Sequence, residues 1–505
     1  MKSRLTKFIA PCILLLVILA QAYSYNYLEI LQLRPQSTHV WRQTDCTSFA
    51  LNYYQDGLNP FKPRLHNQFN TNGVTLGEGP ILYYAVSVLY AIFGADETVY
   101  RGFWLLIWIV GLFHLFKLLR KLLQDDFWAV MITSTVFTVP VIVFYVPNFL
   151  PNTPAMAFVF MAWYYFYRYT EDKKKLNLAL TVILFSIAGW VKAPALITYF
   201  ALLGAGSIHQ LFVSKQKLKS IINEYYVLLI PFLVAFSWYS FTAWYAAGPS
   251  ADDYLSAKLF PIWKMSFQDV LDTIEQVRTM WLDEFLVDYQ AIVYGMMLLA
   301  SLTLLYTKKH RLHGLLLLFV VFGIVSYCLI FFIAFNYHDY YTINVFILVP
   351  FIFSFTVLQL QQYSNKYIYG TLKIAAVLFL YLSTTYSAQR QTVRYTSWMN
   401  EPHVSTDLFD IEPVLRQHGI KSTDLVISVP DETTNLSLYL MNQKGFTYYN
   451  DVHLEQDSVN KRINEGTKYL VVNQAGEEQK DYLRSFVDEE ILTHGEVKVF
   501  TLKNN

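Results

Sequence analysis

Long runs of apolar residues recur along the first three quarters of the chain. Runs of membrane-spanning length lie near residues 8–28, 101–119, 127–146, 152–169, 176–193, 194–213, 223–246, 289–306, 314–335, 342–360 and 371–388. A further run at residues 80–94 is short for a span and is typical of a helix that lies in the membrane interface. The pattern predicts an α-helical polytopic membrane protein with about eleven transmembrane helices.

After residue 388 the pattern changes to short apolar stretches separated by charged and turn residues. Strands are predicted at residues 425–429, 446–449, 469–472 and 497–502, and helices at 436–441, 457–464 and 478–490. We therefore predict a transmembrane domain over residues 1–388 and a small soluble α/β domain over residues 389–505. The tail has no glycine-rich phosphate loop and no paired acid and histidine, so we expect it to dock, support or present an acceptor rather than catalyse.

Charge distribution predicts the orientation of the chain. Only 15% of the 505 residues are charged and 54% are hydrophobic, which excludes an ordinary soluble protein. With 80–94 left out of the span count, the basic clusters all fall on the cytoplasmic side with the N-terminus: residues 117–121, 173–175, 215–219, 308–311 and Lys366. The first loop (about 29–100), the second large loop (about 247–288) and the tail then face outward. A net charge of +1 with no basic domain makes nucleic acid an unexpected partner.

The first outer loop carries the best candidate for chemistry. Asp45 follows the first predicted span closely, so it is expected near the membrane surface, within reach of an aqueous acceptor and a lipid headgroup. A carboxylate there can accept a hydroxyl proton as a general base. The structural alternative is an interfacial acid paired with Arg42 one helical turn earlier.

The motifs of the outward loops resemble those of the GT-C glycosyltransferases of family 39, which include protein O-mannosyltransferases and lipid A aminoarabinose transferases. The resemblance covers roughly residues 1–350. Its five motifs, in order, are Asp45, residues 78–84 (Glu-Gly-Pro-Ile-Leu-Tyr-Tyr), the Phe-Gly…Arg of 93–101, the Lys-Ala-Pro of 192–194 and the His-Asp-Tyr-Tyr of 338–341. All five lie on the outer face in the predicted topology.

The resemblance implies a GT-C fold and an inverting transfer of a sugar from a polyprenyl-phosphate donor to an acceptor on the outer face. Asp45 would deprotonate the acceptor, which is a glycan, a lipid or a protein. The donor phosphate and lipid would be held by Arg101, Lys192, His338 and Tyr340, with Arg42, Glu78 and Asn152 in supporting roles. Donor, acceptor and membrane lipids are thus the expected partners.

Two positions depart from the family pattern. The family's lysine before proline is Gly79 here, and its acid after the third helix is Asn152. Phosphate binding must then depend on other cations, and a second-acid role is in doubt. The outer loops contain no Asp-x-Asp run and no histidine cluster, so we expect no cofactor and no dedicated metal site, while a loosely bound divalent ion stays open.

Other interpretations of the same features stay open at this point. Glu78 is placed to cap the helix that starts near Pro80, and Arg101 and Lys192 are placed to reach lipid headgroups. The chain as a whole is also compatible with a lipid-linked sugar transporter or flippase, a polysaccharide polymerase or ligase, or an inactive relative. The apolar runs hold few ionisable residues, which disfavours transport. A bacterial inner membrane is the expected location.

Overall fold

The structure, a computed structural model, describes residues 4–248, 254–255, 259–307, 310–397, 403–450 and 456–503. Two predicted cytoplasmic lysines, Lys308 and Lys309, and parts of the second large loop lie outside the described residues. In the membrane region the α-helices are Arg4–Ser24, Tyr27–Ile30, Val40–Asp56, Ile81–Phe93, Glu97–Leu123, Asp126–Val136, Pro140–Tyr145, Asn152–Asp172, Lys175–Val191, Ile197–Ile208, Leu218–Tyr225, Ile230–Ala246, Phe267–Gln276, Leu282–Phe285, Asp288–Leu302, Arg311–Ile330, Ala334–Tyr337, Leu348–Tyr363 and Lys366–Thr396. The tail has helices Glu412–Gln417, Leu436–Leu440, Gln456–Asn464 and Asp481–Arg484.

The protein is a multi-pass membrane protein. Among the described residues, 7 helical segments are long and apolar enough to cross a bilayer: Glu97–Leu123, Ala193–Val213, Leu218–Ala246, Asp288–Tyr306, Arg311–Ile330, Asp339–Tyr363 and Lys366–Thr396. Each corresponds to a predicted span. The predicted fold class, a helical polytopic membrane protein with a small α/β tail, is confirmed.

The other four predicted spans are helical but shorter, broken or more polar. The helix Arg4–Ser24 contains the apolar stretch Phe8–Ser24, and Lys175–Val191 is an apolar helix of 17 residues. The predicted span 127–146 is broken between Asp126–Val136 and Pro140–Tyr145, because Pro140 cannot donate a backbone hydrogen bond to the preceding turn. Asn152–Asp172 has 21 residues and several polar ones. The number of eleven crossings therefore stays a prediction.

The run at 80–94 forms the helix Ile81–Phe93, which has 13 residues. At 1.5 Å per residue it is about 20 Å long, too short for a hydrocarbon core of about 30 Å. Its length therefore agrees with leaving this run out of the span count.

Contacts divide the chain into two compact units. The first unit contains Met1–Leu31, Arg101–Ser240 and Lys258–Val393, and the second contains Gln32–Tyr100, Phe241–Ala257 and Arg394–Asn505. The second unit therefore joins the first outer loop and a piece of the second loop to the tail. The predicted division into a transmembrane domain (1–388) and a soluble domain (389–505) is a division by sequence position, and it stays a prediction.

Glycines bring the helices of the first unit close together. A Cβ at Gly111 would lie 2.7 Å from the Cα of Ala157, and one at Gly204 would lie 2.5 Å from the Phe319 ring. Small residues let helix backbones approach each other, which is how helices pack where lipid removes the hydrophobic drive to associate. These positions fix the helix Ile197–Ile208 against Arg311–Ile330 and the helix Glu97–Leu123 against Asn152–Asp172.

The second unit is built on a five-stranded mixed sheet. Strands β1 (Leu425–Val429), β2 (Gly445–Phe446), β3 (Thr467–Val472), β4 (Val487–His494) and β5 (Val497–Leu502) are arranged in the order β2-β1-β3-β5-β4. β1 pairs in parallel with β2 and β3, whereas β5 is antiparallel to β3 and β4. β1 and β5 have the predicted bounds.

The predicted helix 478–490 is wrong. Glu477–Gln479 is a short 3-10 helix, Asp481–Arg484 is the α-helical part, and residues from Val487 onward form β4. The acidic residues 488–490 favour a helix on local propensity, but pairing with β5 buries Leu492 and leaves the acids exposed on an edge strand, where charge discourages pairing with other chains. The predicted strand 446–449 is also reduced to the two residues of β2.

Candidate functional site

The helix Val40–Asp56, called here the Asp45 helix, is unusual in burying its polar side chains. Its mean hydropathy is low, yet Gln43, Thr44, Asp45, Thr47, Ser48 and Asn52 are all 0–1% exposed. Burying such groups is costly unless they are hydrogen-bonded, so neighbouring segments must supply partners. The Asp45 helix is therefore specified by polar contacts as well as by apolar packing of Val40 and Leu51 against the tail.

Within the second unit, the tail forms hydrogen bonds to the backbone of the Asp45 helix and of the segment after it. The Asn435 side-chain oxygen accepts hydrogen bonds from the backbone N–H groups of His66 (3.0 Å) and Asn67 (3.1 Å), and its Nδ2 donates to the Thr44 carbonyl at 3.3 Å. The Gln68 N–H donates to the Gly445 carbonyl at 2.8 Å. One amide of the tail thus ties the Asp45 helix to the segment that follows it.

Asp45 itself is fully buried, and Tyr254 and Arg42 lie against its carboxylate. The Tyr254 hydroxyl donates to Asp45 Oδ2 at 3.0 Å, and Arg42 Nη1 lies 3.7 Å from the same oxygen. The Tyr254 ring packs 4.9 Å from the Tyr449 ring and 6.5 Å from the Phe69 ring, centroid to centroid. The carboxylate is thus held by one residue of its own helix and one of the second large loop.

Arg42 links Asp45 to a second acid. Its Nη2 donates to Glu78 Oε1, which also accepts from the Tyr83 hydroxyl at 2.8 Å. Tyr83 OH lies 3.4 Å from the Cys46 sulfur. The structure therefore brings Asp45, Arg42 and Glu78 together. The pairing of Asp45 with Arg42 is also what the structural alternative predicted, and the catalytic and supporting roles of the three residues stay predictions. The N-cap residue of the helix Ile81–Phe93 is Pro80.

Burial and charge act together in this cluster, which we call the acid cluster (Arg42, Asp45, Glu78, Tyr83 and Tyr254). Burial opposes the charge of Arg42, yet the neighbouring acids, Glu78 foremost, hold its pKa well above its usual value. Burial, and then the Asp45 charge, raise the pKa of Tyr254 well above the usual range. Arg42 is thus a permanent cation and Tyr254 a permanent hydrogen-bond donor.

Lys192 and the His-Asp-Tyr-Tyr motif come together in the first unit. Lys192 Nζ lies 5.9 Å from the Tyr340 ring centroid and 5.6 Å from that of Tyr341. The His338 ring stacks 5.2 Å from the Tyr340 ring. We call Lys192, His338, Tyr340 and Tyr341 the cation cluster. Its Lys192, His338 and Tyr340 are three of the four predicted donor-binding residues.

Asn152 adjoins the cation cluster, where the family pattern has an acid. Its Nδ2 donates to the Tyr340 carbonyl at 3.1 Å, and the residue is 1% exposed. Its Oδ1 has no hydrogen-bond partner among the described residues. Asp339, which precedes Tyr340 in the His-Asp-Tyr-Tyr motif, is also buried and accepts a hydrogen bond from the Tyr145 hydroxyl at 2.6 Å. A buried acid is therefore present in the first unit, at a different position from Asn152.

Arg101, the fourth predicted donor-binding residue, is 0% exposed within the first unit. Its Nη1 donates to the Pro147 carbonyl at 3.1 Å and to the Asn148 side chain, and its guanidinium lies 4.1 Å from the Phe149 ring centroid. These contacts fix the loop before the helix Asn152–Asp172. Its burial does not fit a side chain that reaches out to lipid headgroups; donor binding by Arg101 stays a prediction.

The chain is similar to known proteins in sequence over one segment and in structure over most of its length. Residues 77–241, about a third of the chain, match the model of the dolichyl-phosphate-mannose-protein mannosyltransferase family. No curated protein matches the sequence. ArnT from Cupriavidus metallidurans in the apo state is similar in structure, with a TM-score of 0.60 and 11% identity over 99% of this chain and 98% of that chain.

Two further solved structures are similar over most of this chain. The Archaeoglobus fulgidus oligosaccharyltransferase in complex with zinc and sulfate has a TM-score of 0.58 at 13% identity, over 90% of this chain and 67% of that one. The mycobacterial arabinofuranosyltransferase AftD has a TM-score of 0.53 at 12% identity, over 97% of this chain and 40% of that one. The chain has the GT-C fold. The resemblance predicted from the sequence is thereby confirmed at the level of the fold.

Within this GT-C fold, sequence reasoning missed partners that come from distant segments. Tyr254 touches Asp45 across 209 positions of sequence, and Tyr145 touches Asp339 across 194. A tyrosine in a polar loop between two apolar runs was the available signal for Tyr254. Nothing in the sequence indicated that its hydroxyl would meet Asp45.

Among the residues that the structure describes, no group of three or more His, Cys, Asp or Glu side chains is arranged to hold a metal ion. The expectation of no cofactor and no dedicated metal site stays a prediction.

Proposed function

We propose that the protein is a membrane glycosyltransferase that moves a sugar from a polyprenyl-phosphate donor to an acceptor on the extracytoplasmic face, with inversion, and that Asp45 is the general base. Asp45 would take the proton of the acceptor hydroxyl as its oxygen attacks the anomeric carbon and the lipid phosphate leaves. The N-terminus would lie in the cytoplasm of a bacterium and the tail outside the inner membrane.

The observation that carries this proposal is the acid cluster. In this cluster a tyrosine and an arginine hold a buried carboxylate, and a second acid fixes the arginine. Burying charged groups costs folding free energy, and buried charged clusters of this kind are frequent at functional sites. A general base needs such positioning, because proton transfer depends on a hydrogen bond of about 2.6–3.2 Å to the acceptor hydroxyl.

The comparisons support the donor class. The matched family is named for a dolichyl-phosphate mannose donor, and ArnT from Cupriavidus metallidurans has also been solved with undecaprenyl phosphate bound, at a TM-score of 0.58 and 11% identity over 96% of this chain and 97% of that chain. We propose a polyprenyl-phosphate sugar here too. Lys192, His338 and Tyr340, with Arg101 as a further candidate, would stabilise the departing phosphate, whose charge grows in the transition state.

The test is sugar transfer by the full-length protein in nanodiscs from a panel of radiolabelled polyprenyl-phosphate sugars. Asp45→Asn keeps the shape and removes the base; Asp96→Asn, an exposed acid of the same unit, is the matched control. We expect transfer by the wild type and by Asp96→Asn, with a loss of at least about a hundredfold in Asp45→Asn, the usual range for a missing general base.

Two results would contradict this proposal. Equal transfer by Asp45→Asn and the wild type would remove Asp45 from the mechanism. No transfer from any donor by a folded protein would favour a lipid-linked sugar transporter or an inactive relative.

A further inference from the structure

Asn435 stands at the start of a tail helix but does not cap it. It is the N-cap residue of the helix Leu436–Leu440, which follows β1, and its side chain makes no hydrogen bond to the first turn of that helix. Asparagine is among the residues favoured at this position, because its side-chain oxygen normally accepts a backbone N–H of the first turn. The fully buried side chain of Asn435 is therefore directed to a different task.

Two neighbours cap this helix in its place. Thr433 Oγ1 accepts a hydrogen bond from the Leu436 N–H at 2.8 Å, and Asp431 Oδ2 accepts one from the Ser437 N–H at 2.9 Å. Both capping side chains are buried. Because they satisfy the first two N–H groups of the helix, the helix does not require the Asn435 amide.

The Asn435 amide binds the first outer loop instead. Its Oδ1 accepts hydrogen bonds from the backbone N–H groups of His66 and Asn67, and its Nδ2 donates to the carbonyl of Thr44, the residue before Asp45. One planar side chain thus joins the backbone of the Asp45 helix to the backbone of the segment after it. Because a buried amide must place its oxygen and its nitrogen on the correct partners, it holds these two segments in one relative position.

The sheet of the tail anchors the same segment of the loop. The Gly445 N–H donates to the His66 carbonyl at 3.1 Å, and the Gln68 N–H donates to the Gly445 carbonyl at 2.8 Å. Asn67 thereby pairs in parallel with Gly445 at the edge of β2. Main-chain pairing at a sheet edge is a common way to hold an extended segment. The sheet is therefore the frame to which the loop is tied, and Asn435 extends this frame to Thr44.

The tail also contacts Tyr254, the hydrogen-bond donor to Asp45. The ring of Tyr449, just after β2, lies 4.9 Å from the Tyr254 ring, centroid to centroid. The Tyr254 hydroxyl donates to Asp45 Oδ2 at 3.0 Å. The tail thus acts on Asp45 from two sides, through the backbone at Thr44 and through the side chain of Tyr254.

We propose that Asn435 is a positioning residue for Asp45 and that the tail is the scaffold of the general base, an assignment that rests on the proposed function. Asn435 acts through the Thr44 carbonyl rather than through contact with a substrate. A general base must lie about 2.6–3.2 Å from the oxygen that loses its proton, and a misplacement of about 1 Å can slow the reaction about a hundredfold. Of the roles expected for the tail, these contacts favour support over the presentation of an acceptor.

The test compares two asparagine variants of the full-length protein in nanodiscs. Asn435→Ala removes the hydrogen bonds to the first outer loop. Asn473→Ala is the matched control, because Asn473 is a buried asparagine of the same tail whose Nδ2 donates to the Pro430 carbonyl at 2.9 Å and whose Oδ1 accepts from the Ser405 N–H at 3.4 Å, both within the tail. Hydrogen exchange and steady-state transfer are measured at a temperature at which both variants are folded.

We expect Asn435→Ala to raise the hydrogen exchange of the Asp45 helix and of the His66 and Asn67 amides. Its kcat should fall at least about tenfold, with the donor Kd unchanged, because the base is misplaced while the donor site is intact. Asn473→Ala should leave the exchange of the Asp45 helix and kcat unchanged.

A double variant separates positioning from a general loss of structure. If Asn435 acts through Asp45, Asn435→Ala should cause no further loss of kcat in the Asp45→Asn background, since residues that act as a unit are not additive. A further loss of about tenfold in that background would show that Asn435 acts independently of Asp45 and would overturn the inference.

The remaining outcomes separate this inference from the proposed function. Unchanged exchange of the Asp45 helix in Asn435→Ala, or raised exchange with normal kcat, overturns the positioning role and leaves the enzyme standing. Raised exchange in Asn435→Ala but not in Asn473→Ala, without transfer from any donor, supports the hold of the tail on the helix and contradicts the enzyme.

Discussion

The acid cluster of the second unit and the cation cluster of the first unit hold their charges in different ways. Asp45 lies in a connected set of hydrogen bonds and ion pairs with Tyr254, Arg42 and Glu78. Lys192 lies against the faces of two aromatic rings, Tyr340 and Tyr341. Ion pairs fix a side chain in one geometry, whereas a ring face attracts a cation without fixing its direction.

This difference agrees with the two proposed tasks. A general base must point at one proton, so a rigid surrounding helps it. The proposed donor site needs positive charge to stabilise the departing lipid phosphate, and Lys192 contributes such a charge beside two ring faces. Removing a charged side chain from the acid cluster should therefore disturb the local structure. Removing the lysine from the cation cluster should instead weaken the binding of the polyprenyl-phosphate donor.

The largest expected effect is from Arg42→Met. Removing the cation leaves Glu78 and Asp45 buried without their positive partner, which should destabilise the segment by about 3–5 kcal/mol. Hydrogen exchange of the Asp45 helix should rise accordingly. The double variant with Glu78→Gln should recover part of this loss. Unchanged exchange in Arg42→Met would show that the network does not hold the helix.

Lowering the pH should decrease the stability of the second unit, because His66 is buried there in its neutral form. Burial, partly offset by its hydrogen bond with Asn442, lowers the pKa of His66 from 6.5 to about 4. Between these values the unfolded chain binds a proton that the folded chain does not, so stability falls as the pH falls from 6.5 to about 4, by on the order of 3 kcal/mol.

Thermal unfolding of the full-length protein at pH 7 and pH 5 measures this effect. His66 Nδ1 lies 2.6 Å from Ser48 Oγ on the Asp45 helix, so that helix should be among the first to exchange. His66→Gln should remove much of the pH dependence. If His66→Gln loses as much stability between pH 7 and pH 5 as the wild type does, other groups cause the acid sensitivity.

An intermediate effect is expected from Lys192→Met. Loss of one charge-assisted phosphate contact should weaken binding of a polyprenyl phosphate by about 1.5–3 kcal/mol, roughly tenfold or more in Kd. Lys192→Arg should recover most of the affinity, because an arginine also binds phosphate and rests on aromatic rings. Hydrogen exchange of the Asp45 helix should not change. Unaltered Kd in Lys192→Met would remove Lys192 from donor binding.

The smallest effect is expected from Tyr254→Phe. The ring can keep its contacts with Phe69 and Tyr449, and only the hydrogen bond to Asp45 is lost. A net loss of about 1 kcal/mol corresponds to roughly fivefold slower transfer. Donor Kd should be unchanged; a weaker donor Kd with normal transfer would place Tyr254 at the donor instead.

Much of the fold could be predicted because lipid imposes a simple pattern. Apolar runs of about 20 residues identify spanning helices, and seven of the predicted spans appear as such. The break near Pro140 and the mixed character of Asn152–Asp172 depend on partners inside the helix bundle, which no local pattern reveals. The tail strand β4 was missed because its acids favour a helix locally and only β5 makes them a strand.

The candidate site could be predicted in part for a similar reason. Arg42 and Asp45 lie three residues apart on one helix, so their proximity follows from helix geometry. Glu78 entered as part of a motif, and its bond to Arg42 across 36 residues required the structure. The contacts of Tyr254 and Asn435 with the Asp45 helix depend on tertiary folding of separate segments, and no local pattern indicates them.

The most direct test of the central claim measures donor binding and transfer side by side in Asp45→Asn and Lys192→Met. Binding of a polyprenyl phosphate and steady-state transfer from its sugar are measured on the same nanodisc preparations. The account predicts that Asp45→Asn binds like the wild type but transfers at least about a hundredfold more slowly, while Lys192→Met binds more weakly. Normal transfer by Asp45→Asn, or weakened binding in that variant alone, would contradict it.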